Sequence, residues 1–269
     1  MNDVMIPISA AVLVGIVCGV QSFFVVHRKL AFMSHGAAHS MVAGVGLALL
    51  MHWPVFWPAI MTALLVSVTV GWITRRGRIV EDSAIGIALS AALAVGIFLS
   101  KMHDSVHADE RDDHGHGLES FLVGSLDQVN STDLIWLAAF AAIALLLVWR
   151  FWKVLVMFTY DSEACAVAGF PVEGIRYAIL IGLALTIALT MKIVGILLVG
   201  AFLIIPAATA GFWSARASRV LLVSVLISLA GALTGMFVAY GFQAPPGATI
   251  VLTLVALFFV SRIVGPVRG

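Results

Sequence analysis

The sequence predicts an all-α protein whose helices cross a membrane repeatedly. Of its 269 residues, 62% are hydrophobic and only 11% are charged, and the mean hydropathy is +1.10. Apolar runs close to the roughly 20 residues that cross a bilayer recur along the chain, and they lack the alternating pattern of barrel strands. This composition predicts a polytopic helix bundle in a lipid bilayer and argues against a nucleic-acid-binding protein.

Nine apolar runs are the expected spans. They cover residues 5–26, 34–51, 55–73, 84–100, 134–157, 177–191, 193–213, 219–240 and 247–264. The sixth run is short and directly precedes the seventh, so eight crossings are the alternative. No positively charged segment precedes the first run, and we expect it to stay as a span instead of being removed as a signal peptide. Residues 1–269 then form a single transmembrane domain.

The basic residues predict the orientation of the bundle. With the N-terminus outside, twelve of the 15 lysines and arginines fall on the inner side and three on the outer side. The inner group comprises Arg28, Lys29, Arg75, Arg76, Arg78, Arg150, Lys153, Arg176, Arg216, Arg219, Arg262 and Arg268. Cytoplasmic connections are rich in lysine and arginine, so nine spans place the N-terminus outside and the C-terminus inside.

A connection rich in histidine and aspartate follows the fourth span on the outer side. Residues 101–120 contain four of the eight histidines. Imidazole and carboxylate groups together could gather a divalent cation from outside, while a solvated, disordered linker has the same composition. The candidate metal-gathering residues are His103, His107, Asp112, Asp113, His114 and His116.

A short helix is predicted in the inner connection after the fifth span, at residues 161–171. Asp161 or Ser162 can cap it, Glu163 lies in its first turn, and Gly169 ends it. A cytoplasmic helix that is too short to span suits docking of a partner protein. A helix that lies at the membrane interface and binds nothing fits the same pattern.

Two histidines four positions apart lie inside the second span. By the span limits above, the acidic residues lie in connections or at helix ends. His35 and His39, in contrast, lie inside a span. Ionisable residues inside a span are costly and point to function. Positions i and i+4 share one helix face, so both imidazoles can reach one metal ion. A hydrogen bond from each histidine to a neighbouring helix is the alternative.

The histidine pair supplies only part of a metal site. Tetrahedral zinc takes four ligands, and one chain offers two. A C2 dimer with both pairs facing its axis would supply the other two. The intervening residues, Gly36, Ala37 and Ala38, are small enough for another helix to approach closely.

Common catalytic motifs are missing from the sequence. It has no Gly-Lys-Ser or Gly-Lys-Thr of a P-loop, so any ATP is hydrolysed by another chain. It also lacks the HExxH and G-x-S-x-G motifs of hydrolases. A diiron oxidase would need several H-x-x-x-H boxes at matching depth, and one is found in a span. The common signals of intramembrane hydrolases are thus missing, and a self-sufficient transporter that uses the histidines as a proton-coupled metal relay is one candidate.

The stretch RKLAFMSHGAAHSMVAG, residues 28–44, resembles the second-span motif of permeases in the zinc and manganese class of ABC importers. Further blocks follow in the family's order. They are TRRGRIVEDSAIGIALS at 74–90, FLVGSLDQVNSTDL at 121–134, VGILLVGAFLIIPAATA at 194–210 and PPGATIVLTLVALFF at 245–259. The resemblance covers nearly the whole chain.

The resemblance implies a homodimeric permease subunit of the bacterial plasma membrane, with a metal ion as cargo and no permanently bound cofactor. It also implies two partners, a cytoplasmic ATPase dimer and an extracytoplasmic metal-binding protein. EACAVAG, residues 163–169, is similar to the segment that such importers present to their ATPase. The implied coupling residues are Asp161, Glu163, Ala164 and Gly169.

One departure from the family motif bears on the metal. The motif has an aspartate where this chain has His35, and its histidine falls on His39. Four neutral imidazoles in a dimer leave the charge of a divalent ion uncompensated, which weakens the Coulomb attraction. Imidazole suits zinc, whereas manganese favours oxygen ligands. We therefore expect zinc as the transported ion, with manganese or iron as the alternative.

Overall fold

A computed structural model describes residues 2–75, 79–106 and 130–265. Within these residues the chain forms ten α-helices. They are α1 (Asn2–His27), α2 (Ala31–Met51), α3 (Phe56–Thr74), α4 (Glu81–Val106), α5 (Ser131–Tyr160), α6 (Ser162–Val167), α7 (Val172–Val194), α8 (Ile196–Ala210), α9 (Ala217–Phe242) and α10 (Pro246–Val264).

The membrane bundle predicted from hydropathy is confirmed. In the described part of the chain, eight helices have the length and the apolar composition needed to cross a membrane. These are α1 to α5, α7, α9 and α10. The protein is therefore an integral, multi-pass membrane protein.

The predicted sixth and seventh spans meet at a break in the backbone. Gly195 follows α7 with φ 84° and ψ 163°, a backbone conformation that residues other than glycine rarely adopt. The next helix, α8, has 15 residues, or about 22 Å of length. Gly247 at the start of α10 packs against Val194, and Gly265 at its end packs against Phe212. Hence α8 runs beside α10 between the same two ends of the bundle, as a ninth and shorter segment.

Two boundaries differ from those expected. α4 continues to Val106, so the first residues of the predicted outer loop are helical. α5 includes Arg150 and Lys153, as the predicted span 134–157 does, and it kinks at Phe151. The inner helix α6 has only six residues, because the rest of the predicted segment forms its cap and the turn that follows it.

The two N-terminal helices are the most enclosed. Helix α1 packs against α5, α8 and α9. Helix α2 packs between α3 and α4, and it also contacts α7 and α8. Glycine permits some of these contacts, because a Cβ on Gly19 would lie 2.8 Å from the Cα of Val225, and a Cβ on Gly96 would lie 2.9 Å from the backbone nitrogen of Ala43. In contrast, only 11% of the apolar part of α5 is buried, so the chain leaves most of this helix uncovered.

Two buried hydrogen bonds join α1 to the C-terminal helices. The Ser22 hydroxyl accepts a hydrogen bond of 3.0 Å from the backbone N–H of Ala207. The Ser224 hydroxyl donates one of 2.8 Å to the carbonyl of Gly19. In a membrane interior such groups need a protein partner, because lipid offers none.

Five helix ends meet at one end of the bundle. One small pocket there is lined by Arg28 after α1, Thr74 at the end of α3, Glu81 at the start of α4, Phe158 near the end of α5 and Arg176 in α7. These ends carry basic residues that the positive-inside rule places in the cytoplasm. We call this group of five residues the inner cluster.

Candidate metal site

The two histidines of α2 lie on the open stripe of an otherwise enclosed helix. His35 is exposed and His39 is half-buried, with Phe32 and Val42 continuing the stripe at helical spacing. The remaining positions of this segment face the interior, and Met33, Ala37 and Met41 are fully buried. The predicted shared face of His35 and His39 is thus a face that the chain itself leaves uncovered.

The small residues between the histidines serve packing inside the chain. Ala37 and Ala38 are buried, and a Cβ on Gly36 would lie 2.6 Å from the Cγ2 atom of Ile85 in α4. The helix that approaches closely is therefore α4 of the same chain. This contact fixes the rotation of α2 and directs His35 away from α4.

A glycine of α8 lies directly against the His35 imidazole. A Cβ on Gly200 would lie 2.9 Å from Cε1, 3.4 Å from Nε2 and 3.5 Å from Nδ1 of His35. The His35 ring therefore lies beside the space that a side chain at position 200 would occupy. Sequence reasoning missed Gly200; the signal available was a glycine, followed by Ala201, in the middle of an apolar helix.

One chain does not complete a metal site among the described residues. In that part of the protein, no group of three or more His, Cys, Asp or Glu side chains could hold a metal ion. The His35 and His39 pair provides two imidazoles and no carboxylate. A four-ligand site built on this stripe requires a second copy of the chain.

The predicted metal-gathering loop lies mostly outside the described residues. His103 belongs to the last turn of α4. His107, Asp112, Asp113, His114 and His116 fall in 107–129, beyond what the structure describes. Their role in gathering metal stays a prediction.

The inner helix α6 has an N-terminal cap, as predicted. The Asp161 carboxylate accepts a hydrogen bond of 2.8 Å from the backbone N–H of Ala164, so Asp161 and not Ser162 is the cap. Gly169 adopts φ 83° just after the helix. Cys165 is fully buried against the bundle, whereas Val167 is 90% exposed. The helix therefore presents an apolar side chain away from the bundle.

Comparison with known proteins identifies the family. The profile of the ABC 3 transport family matches residues 1–265. The chain belongs to the ABC 3 transport family. This ABC 3 chain is 31% identical over 262 residues to the "Manganese transport system membrane protein MntC" of Halalkalibacterium halodurans, covering 97% of this chain and 87% of the relative.

Two further matches cover nearly all of the ABC 3 chain. It is 28% identical over 260 residues to the "Chelated iron transport system membrane protein YfeD" of Yersinia pestis, covering 96% of this chain and 83% of the relative. It superposes with a TM-score of 0.83 and 29% identity on a chain of the solved structure of "PsaBC from Streptococcus pneumoniae in complex with Fab". That superposition covers 99% of this chain and 93% of the other.

Proposed function

We propose that this chain is the permease subunit of an ATP-driven importer of divalent transition-metal ions, with zinc as the preferred cargo. The observation that carries the proposal is the His35 and His39 pair on the open stripe of α2. Membership of the ABC 3 transport family supports the ATP-driven class over the self-sufficient transporter. The names of the manganese and iron relatives support a metal cargo.

The transport site is completed by a second copy of the chain. Two α2 stripes that face a common C2 axis bring four imidazoles together, which matches the tetrahedral coordination of zinc. The stripe is apolar on both sides of the histidines, with Phe32 and Val42 flanking them. A dimer interface on this stripe covers side chains that a single chain leaves open.

The donor atoms favour zinc over manganese. The stripe offers imidazole nitrogens, and manganese and iron(II) sites are richer in carboxylate oxygens. Manganese and iron remain the alternative cargoes, because relatives are named for their transport. A site without carboxylates holds the ion less tightly, which suits a site that must also release it.

ATP hydrolysis is assigned to a separate cytoplasmic chain, because this sequence has no P-loop. Its docking element is α6, with Asp161, Glu163, Ala164 and Gly169 as the coupling residues. The exposed Val167 of this helix offers an apolar contact to an ATPase dimer. An extracytoplasmic metal-binding protein delivers the ion to the outer face.

The test is zinc binding and uptake by the complete importer with His35→Ala or His39→Ala. We expect each variant to lose most ATP-driven zinc uptake and at least about tenfold in zinc affinity, since each removes one ligand per chain. His52→Asn is the matched control, because it removes an imidazole at the end of the same helix, where φ is 52°, and asparagine tolerates that conformation.

The outcomes separate the candidate functions. Wild-type zinc uptake in either alanine variant contradicts the assigned site. Uptake of manganese or iron, with no competition from zinc, contradicts the preferred cargo. Gradient-driven flux through the purified chain alone in liposomes contradicts the need for an ATPase.

A further inference from the structure

The inner cluster joins the segment around α6 to the helix that carries the histidines. The Arg28 guanidinium donates a hydrogen bond of 3.3 Å from Nη1 to the carbonyl of Phe158, and its Cζ lies 4.4 Å from the centre of the Phe158 ring. Phe158 is buried and lies three residues before Asp161, the cap of α6. Arg28 therefore holds the end of α5 from which α6 departs.

The contact has a clear electrostatic basis. Phe158 lies in the last turn of α5, where carbonyl groups lack partners within the helix and carry the negative end of the helix dipole. A guanidinium placed there forms a charge-assisted hydrogen bond and a cation–π contact. Burial lowers the pKa of Arg28, while the nearby Glu81 raises it and Arg176 lowers it. The charge of Arg28 thus lies in a poorly hydrated position.

On its other side, Arg28 is connected rigidly to α2. Only three residues, 28–30, separate α1 from α2. Backbone hydrogen bonds fix this turn, from Leu30 N–H to the Val25 carbonyl at 2.8 Å and from Lys29 N–H to the Val26 carbonyl at 3.2 Å. Lys29 adopts φ 58° in the turn. A displacement of Arg28 is therefore passed to the first turn of α2, and His35 follows one turn later.

The segment on the far side of α6 makes weaker contacts with the same end of the bundle. Arg176 of α7 approaches Glu81 of α4 at 4.0 Å, and Glu173 approaches Arg75 at 3.7 Å. The Arg75 side chain is 60% exposed, and exposed ion pairs contribute little. Of the contacts around α6, the one between Arg28 and Phe158 leads most directly to the histidine helix.

We propose that Arg28 is the positioning residue that transmits movement of the α6 segment to α2 and its histidines. The proposal rests on the proposed function, in which an ATPase moves α6. When α6 is displaced, Phe158 moves with the end of α5, Arg28 follows its carbonyl, and the short turn tilts α2. Without the guanidinium, the end of α5 loses its hydrogen bond and its cation–π contact with the turn that leads into α2.

The test measures nucleotide-driven movement of α2 in the complete importer, with the partner ATPase present. Met51→Cys places a thiol at the exposed end of α2, away from the stripe assigned to the dimer interface, and the native Cys18 and Cys165 are fully buried. In this background, we expect ATP with vanadate to change the rate of labelling by a water-soluble maleimide by about tenfold. Adding Arg28→Gln should abolish this change, because the free energy of one charge-assisted hydrogen bond corresponds to a factor of about that size.

The controls separate transmission from folding. Arg219→Gln removes the same charge from an exposed arginine in the first turn of α9 and should leave the nucleotide effect intact. Arg28→Lys keeps the charge but loses the planar fork, so we expect a smaller nucleotide effect with unchanged equilibrium zinc affinity. This variant decides the question if Arg28→Gln does not fold.

The readout does not depend on the identity of the cargo. A nucleotide effect of wild-type size in Arg28→Gln or Arg28→Lys overturns the proposal, and so does a wild-type importer in which nucleotide leaves labelling unchanged. If Arg28→Lys lowers zinc affinity by the same factor as it lowers the nucleotide effect, the proposal is also overturned, because Arg28 would then only support the metal site. Absence of zinc uptake by the wild-type importer, with the labelling pattern intact, contradicts the proposed function alone.

Discussion

At the scale of single residues, the position of the His35 ring depends on the absence of a side chain at Gly200. The imidazole edge lies where a Cβ of residue 200 would stand, 2.9 Å from Cε1. A metal ligand must be held close to its productive geometry. In the proposed site, Gly200 therefore has a positioning role although it offers no donor atom.

Gly200→Ala should displace the His35 ring and weaken zinc binding. We expect the zinc affinity of the purified protein, measured by calorimetry, to fall about tenfold, as for other groups that orient a metal ligand. Gly86→Ala is the matched control, because a Cβ at this helical glycine of α4 meets no atom within 4 Å. Equal zinc affinities for the two variants would show that Gly200 does not position His35.

His35→Asp should move the metal preference toward manganese. The substitution places a carboxylate where the resembling permeases have one, adding oxygen ligands and a negative charge per chain. We expect the ratio of manganese to zinc affinity to rise at least about tenfold. His35→Asn is the control, since it has a similar size and no charge; an equal rise in both variants would rule out the charge as the cause.

The residue-scale features differ in how far the sequence predicts them. His35 and His39 are visible in the sequence because imidazoles inside an apolar span are costly and their spacing defines a face. Gly200 and Arg28 are not, because their importance comes from lateral neighbours. The contact between α2 and α8 joins His35 and Gly200, which are 165 positions apart in the chain. The residue pattern within a single helix therefore does not predict this contact.

At the scale of the elements, α6 is a helix of six residues, far too short to be stable alone. It depends on its cap, on burial of Cys165, and on the turn at Gly169. Its capping pattern was readable because Asp161 and Glu163 stand at the positions that favour a helix start.

Asp161→Ala should loosen α6 and reduce coupling. Loss of the cap costs about 1 kcal/mol, so we expect ATP-driven uptake to fall severalfold while equilibrium zinc affinity stays unchanged. Uptake by the reconstituted importer and hydrogen exchange of the Ala164 amide measure the two effects. Asp161→Asn retains a capping oxygen and should behave as wild type; a defect in that variant as large as in alanine would exclude capping as the cause.

The break between α7 and α8 shows where hydropathy stops being informative. Apolar residues continue on both sides of Gly195, so composition alone leaves eight and nine crossings open. In the structure Gly195, with φ 84°, ends α7 and precedes α8, which is shorter than the eight described helices that are long enough to cross a membrane. A sequence window averages over this glycine, whereas its conformation depends on how α8 packs beside α10.

At the scale of the whole molecule, the open stripe on α2 predicts a dimer held across that face. Val42→Cys should form a covalent dimer under mild oxidation or with a short bismaleimide, detected by electrophoresis. Leu146→Cys, on the sparsely buried α5, is the control and should stay monomeric. Cross-linking through Leu146→Cys but not Val42→Cys would place the dimer interface elsewhere and separate the two histidine pairs.

The hydrogen bonds of α1 have a consequence for biosynthesis. The first helix to leave the ribosome carries Ser22 and the Gly19 carbonyl, yet their partners lie 185 and 205 residues later in the chain. Until α8 and α9 are inserted, these groups of α1 have no such partners. A nascent chain that stops after α7 would therefore lack the two hydrogen bonds that hold α1 to the C-terminal helices, and the bundle reaches its final packing only after its C-terminal third is made.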